Sequence, residues 1–122
     1  TPADAAPPAA NYALAVVAER PQRLLHTSGI VPVAPDGSVP TDVADQAEVV
    51  WASLLAILAE AGMGVADVVS ITTYVVAGEP LGGVMAARDR ALGGHRAAST
   101  LVTVPALAQA AWKMEIALVA AS

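Results

Sequence analysis

Glu115 is the residue whose setting most needs an explanation. It stands inside Lys113-Met-Glu-Ile-Ala-Leu-Val119, a run that is otherwise largely apolar. Side chains on a strand alternate faces, so Met114, Ile116 and Leu118 share one face and Lys113, Glu115, Ala117 and Val119 the other. Burying an unpaired carboxylate is costly. Two readings stay open. One is an acid at a sheet edge, paired with Lys or Arg or left in water. The other is a pocket acid that handles a water or a proton. Thr27-Ser28-Gly29 is a second candidate. It lacks the Gly-x-Ser-x-Gly frame of a nucleophile elbow. Gly29 still frees the backbone so that N–H groups can face a ligand, against the alternative of an ordinary strand end. Tyr12 opens a β-favouring run, where its hydroxyl can simply be in water. His26 alternates with Leu25 as a strand histidine, and His95, in a Gly-rich loop, is expected in solvent. No Gly-x-Gly-x-x-Gly and no P-loop is present.

Composition narrows the chemistry further. With no cysteine there is no thiolate, no disulfide and no Cys-based metal site. Two histidines far apart in sequence make a weak case for any metal. The net charge is −5, and the six cations, Arg20, Arg23, Arg88, Arg90, Arg96 and Lys113, are scattered. A nucleic-acid surface needs them clustered, so no nucleic-acid partner is expected. Of the 122 residues 56% are hydrophobic and only 14% charged, against about 25% charged in ordinary globular chains. No apolar run approaches the roughly 18 to 20 residues of a membrane span. The surplus apolar surface is therefore expected against another copy of the chain rather than in lipid.

These residues need elements to hold them. Residues 1–10, Thr-Pro-Ala-Asp-Ala-Ala-Pro-Pro-Ala-Ala, read as a flexible lead and not as a signal peptide, so a cytoplasmic location is the expectation. Residues 11–122 read as one domain. Tyr12–Val17 and Leu24–Ser28 read as a hairpin around the Glu19-Arg-Pro-Gln22 turn. Thr41 or Asp42 caps a helix over about 43–61, with Ala47, Val50, Trp51, Leu54, Ile57, Leu58 and Ala61 on its apolar face. Gln46, Ser53 and Glu60 fall off that face, and Gly62 stops the helix. Val68–Val76 is a strand with Val69, Ile71, Thr73 and Val75 inward. A shorter helix covers Leu81–Leu92, with Leu81, Val84, Met85 and Leu92 inward. Two strands close the chain, Ala98–Val104 and Lys113–Val119, joined through Pro105–Ala111. The order is ββαβαββ, an α+β domain with a mixed sheet and two helices on one face.

Several segments resemble the Rid/YjgF family, the reactive-intermediate (enamine/imine) deaminases, some of whose members carry the label endoribonuclease L-PSP. Tyr12-Ala-Leu-Ala-Val resembles its Tyr-Ser-x-Ala-Val start, and His26-Thr-Ser-Gly-Ile-Val-Pro32 its Ser-Gly-Gln-Ile-Pro loop. Gln46–Gly62 tracks its first helix. Asp67-Val-Val-Ser-Ile-Thr-Thr-Tyr-Val75, Ala98-Ser-Thr and Glu115-Ile-Ala-Leu-Val resemble its later strands. The resemblance implies a chorismate-mutase-like fold, a homotrimer with small-molecule pockets between subunits, and no cofactor. It implies that Glu115 positions a hydrolytic water and that Tyr12, Ser28, Gly29, Ile30, Arg96, Ala98 and Ser99 line the ligand. In the family's deaminases an Arg directly before the Ser of this strand forks onto a substrate carboxylate, which a planar guanidinium does well. Here that position is Ala98, and the family's Gln after Ser-Gly is Ile30. Arg96, two residues earlier, would face the same side as Ala98 on an extended chain. Two functions follow: hydrolysis of an imine or enamine, or binding of a small metabolite, or another reaction, without that deamination.

Overall fold

The computed structural model describes all of residues 1–122. Its strands are β1 (Leu24–His26), β2 (Val68–Val76), β3 (Ala98–Val104) and β4 (Met114–Ala121). Helix α1 (Val43–Glu60) precedes β2, and α2 (Gly82–Leu92) links β2 to β3. The sheet order is β1-β4-β2-β3. Strands β2 and β3 run parallel across the α2 crossover, whereas β4 is antiparallel to both β1 and β2. The α+β class, the mixed sheet and the two helices are as the sequence predicts.

Helix α1 starts where Asp42 Oδ1 accepts the Ala44 N–H at 3.1 Å, which satisfies one of the free donors of the first turn. It ends at Gly62, which takes a φ of 72° that only glycine adopts freely. Its buried side chains, among them Val50, Trp51, Leu54 and Leu58, pack with Ile71, Val75, Met114, Ile116 and Leu118 of the sheet. Helix α2 lies against α1 where Gly83 leaves room: a Cβ there would sit 2.5 Å from that of Ala44.

Three expectations are corrected. Tyr12–Val17 is not a strand; only Ala13 makes a bridge, parallel to Ala98, and Val17 is 81% exposed. The hairpin fails because its two segments lie at opposite edges of the sheet. Leu24–His26 pairs with β4, the Gln22 and Arg23 N–H groups donate to the Ser122 carbonyl, and Ala13 donates to Ala97 O next to β3. A long-range partner displaced the local one. In β2 a register shift between Val68 and Ser70 turns Val68 inward in place of Val69. Gln46 is fully buried rather than off the core. Its Nε2 donates to Pro40 O at 2.7 Å and Ala111 O at 2.9 Å, and its Oε1 accepts the Lys113 N–H at 2.8 Å. The side chain thus ties the approach to α1 to the connection before β4.

The helices cover one face of the sheet. Pairing registers place Ser70, Thr72 and Tyr74 on the other, beside Ala98, Thr100 and Val102 of β3 and Glu115, Ala117 and Val119 of β4. Leu24 and Val102 on this open face are 62% and 39% exposed.

Candidate functional site

Glu115 lies near one end of a central strand, not at an edge. On one side its partner is Tyr74 of β2. On the other, the loop 27–30 continues where β1 ends. Thr27 N–H donates to Leu118 O at 3.0 Å, and the Thr27 hydroxyl accepts the Leu118 N–H at 2.9 Å. Ile30 and Ile116 then exchange both backbone bonds, at 2.7 and 3.1 Å. Between these anchors Ser28 and Gly29 are exposed, and neither N–H donates to a partner within the chain. Gly29 is necessary for a steric reason. A Cβ there would overlap Glu115 Oε2, so the carboxylate lies directly against the glycine backbone.

The Glu115 carboxylate is half-buried and has neither a hydrogen bond nor an ion pair. The adjacent lysine does not serve it: Lys113 Nζ pairs with Glu79 at 3.2 Å and donates to Thr41 O at 2.7 Å. No Lys or Arg pairs with this acid, so what remains of the two readings is a carboxylate left in water or a pocket acid. An unpartnered acid beside unpartnered backbone donors can take a proton from water while the N–H groups hold a developing negative charge. Tyr74, opposite Glu115 on the open face, adds a hydroxyl that sequence reasoning missed; only the strand register could have revealed it.

The remaining expected residues gather at the start of β3. Tyr12 Oη accepts the Ala9 N–H at 3.2 Å. Arg96 is exposed and donates to Asn11 Oδ1 at 3.2 Å; Asn11 Nδ2 in turn donates to Asp89 Oδ2 at 3.1 Å. Asp89 Oδ1 accepts from both Nε and Nη2 of Arg88, at 3.2 and 3.1 Å. Ala98 shares the open face with Glu115, whereas Ser99, paired with Ile71, points to the helix side. Ala98 lies two strands across and four residues along from the Glu115 row, about 16 Å away within one chain. His95, expected in solvent, is half-buried against Val68 O at 2.7 Å, which takes up its ring nitrogen.

The five main surface cavities measure 140 to 310 Å³, and none of these five is lined by Glu115, Ser28, Gly29, Ile30 or Ala98. Tyr12 and Arg96 line one of 300 Å³. Tyr12 and Ser99 line one of 310 Å³ together with Arg88 of α2, another residue the sequence reading passed over. In the sequence Arg88 is one of six scattered cations; its burial depends on the packing of α2. No cluster of three His, Asp or Glu side chains is placed to hold a metal. No helix is long and apolar enough to cross a membrane.

The family model described as endoribonuclease L-PSP matches residues 3–122. A structure from Yersinia pestis, that of YyfB, a protein of unknown function in the conserved Rid family, is similar at a TM-score of 0.83 and 32% identity, covering 92% of this chain and 87% of that one. Escherichia coli TdcF, solved with bound serine, is similar at a TM-score of 0.76 and 26% identity, covering 97% and 91%. By sequence, the chain is 38% identical over 53 residues to TdcF of Escherichia coli K12, provisionally named a reactive intermediate deaminase. That stretch is 43% of this chain and 41% of the relative, so it spans less than half of the relative's length.

Proposed function

The chain belongs to the Rid/YjgF family, and on that premise we propose that it hydrolyses a small imine or enamine in pockets completed between the subunits of a homotrimer. The observation that carries this reading is the Glu115 carboxylate, half-buried, without a partner, and set against Gly29 beside the free N–H groups of Ser28 and Gly29. The chemistry needs one water. Its oxygen bonds to the C=N carbon as the C=N π electrons move to nitrogen. Glu115 accepts a proton from the water and returns it to the nitrogen; it then takes the carbinolamine O–H proton and delivers it to the nitrogen as the C–N bond breaks, leaving a carbonyl product and ammonia, an enamine entering this sequence as its imine tautomer. No cofactor enters this sequence.

Separation of the candidate residues supports a shared pocket. The Glu115 half and the Tyr12–Ser99 half are too far apart in one copy to hold one small molecule. The exposed apolar side chains of the open face, Leu24 and Val102, favour cover by another subunit. The test is ammonia release from an imine generated in situ by an amino-acid oxidase. Wild type should accelerate it over the uncatalysed rate, and Glu115→Gln should return it to that rate. Equal rates with wild type, with the variant and without protein would refute the reading.

A second reading rests on Ala98, which occupies the position of the carboxylate-binding Arg in the family's deaminases. With a short methyl there, the pocket can bind a small metabolite without turning it over, or serve another reaction. It predicts that a ligand raises the melting temperature by mass action without ammonia release. Because the six cations are scattered and the net charge is −5, the reading includes no RNA partner; a salt-sensitive RNA shift in a gel would contradict it.

A further inference from the structure

Arg88 lines the 310 Å³ cavity with Tyr12, Ser99, Met85 and Leu101. Its side chain is only 7% exposed. Nε and Nη2 both converge on a single oxygen of Asp89, and Nη1 has no hydrogen-bond partner in the chain. Nor is Nη1 sealed in the protein: the one buried side-chain polar atom lacking a partner is Trp51 Nε1. A largely buried guanidinium with one edge unused, opening on a cavity at the lower end of the usual size for small-ligand sites, is set up to receive an anion. That edge meets only the solvent of the cavity, and a carboxylate there would give it a charge-assisted partner.

We propose that Arg88, reaching from α2, is the anion anchor of the pocket that Tyr12 and Ser99 line, a role that Ala98 on the other face of β3 does not fill. The proposal rests on the reading that Tyr12 and Ser99 line the substrate pocket. It assigns the substrate class: a small molecule with a carboxylate at one end and a short apolar chain, lying along Met85 and Leu101. Asp89 is the internal counter-ion that holds the guanidinium when the pocket is empty.

The experiment compares pentanoate with pentanamide, which match in size and differ in charge, by calorimetric titration of the intact protein. Wild type should bind the carboxylate roughly 10- to 100-fold more tightly than the amide. Arg88→Met should erase the preference, and Arg88→Lys, which keeps a charge but loses the fork, should retain only part of it. Asp89→Asn removes the competing counter-ion and should tighten pentanoate binding several-fold, a gain that misfolding cannot mimic. The proposal is overturned if wild type shows no preference, or if the preference survives in Arg88→Met. Failure of the deaminase reading looks different: no ammonia release, with an Arg88-dependent preference still present. Conversely, Glu115-dependent ammonia release with an unchanged KM in Arg88→Met would remove the anchor and leave the reaction.

Discussion

At the scale of single residues, the pairing of Gly29 with Glu115 makes the sharpest prediction. The atom an alanine methyl would strike is the tip of a flexible side chain. Gly29→Ala should therefore cost under about 1 kcal/mol of stability, because the carboxylate can swing away. It should nonetheless lose the activity ascribed to Glu115, since the swung carboxylate no longer faces the Ser28 and Gly29 donors. Urea melts beside the ammonia assay separate the two effects. Asp36 supplies a control for pH work. Ser38 donates its N–H at 2.9 Å and its hydroxyl at 2.6 Å to Asp36 Oδ1, which holds the carboxyl below its ordinary value. A depressed folded-state value stabilises above the unfolded one and is lost as pH falls through the lowered value. Ser38→Ala should move the Asp36 titration back up, as seen by NMR, without touching ligand binding. Glu115 was legible in the sequence because an acid breaks an apolar alternation. Tyr74 and Arg88 were not, since one needs a strand register and the other the docking of a helix.

At the scale of elements, local pattern carried far. The stretch 68–76 gives the ends of β2, though not the side that Val69 takes, and the Asp42 cap with the 3.6-residue apolar spacing fixes α1. Expectation failed where a distant partner decided the outcome. Tyr12–Val17 has strand composition, but the open sheet edge beside it accepts only Ala13. Gln46 reads as polar and therefore outward, yet it replaces the missing backbone partners of two connections. Gln46→Leu fills the same space and strands one N–H and two carbonyls. It should cost about 2–4 kcal/mol, read from the midpoint of urea denaturation. Asp42→Ala should cost about 1 kcal/mol by the same measure.

For the whole molecule, the sheet is covered on one face only, and the surplus of apolar residues visible in the composition reappears as exposed Leu24 and Val102 on the other. Sedimentation at micromolar concentration should give three times the 12.2 kDa of one chain; a single 12.2 kDa species would end the shared-pocket account. Glu115 lies on the open face and Arg88 beneath the opposite one, and in the proposed trimer each subunit would bring its Glu115 half to one pocket and its Arg88 half to a neighbouring one. Two impaired proteins should then repair each other at subsaturating substrate. When Glu115→Gln and Arg88→Met chains are mixed, unfolded and reassembled together, about one interface in four receives an intact half from each parent in a head-to-tail ring. Activity regained in the mixture, at about a quarter of the wild-type level, would be complementation between two defects in one gene product.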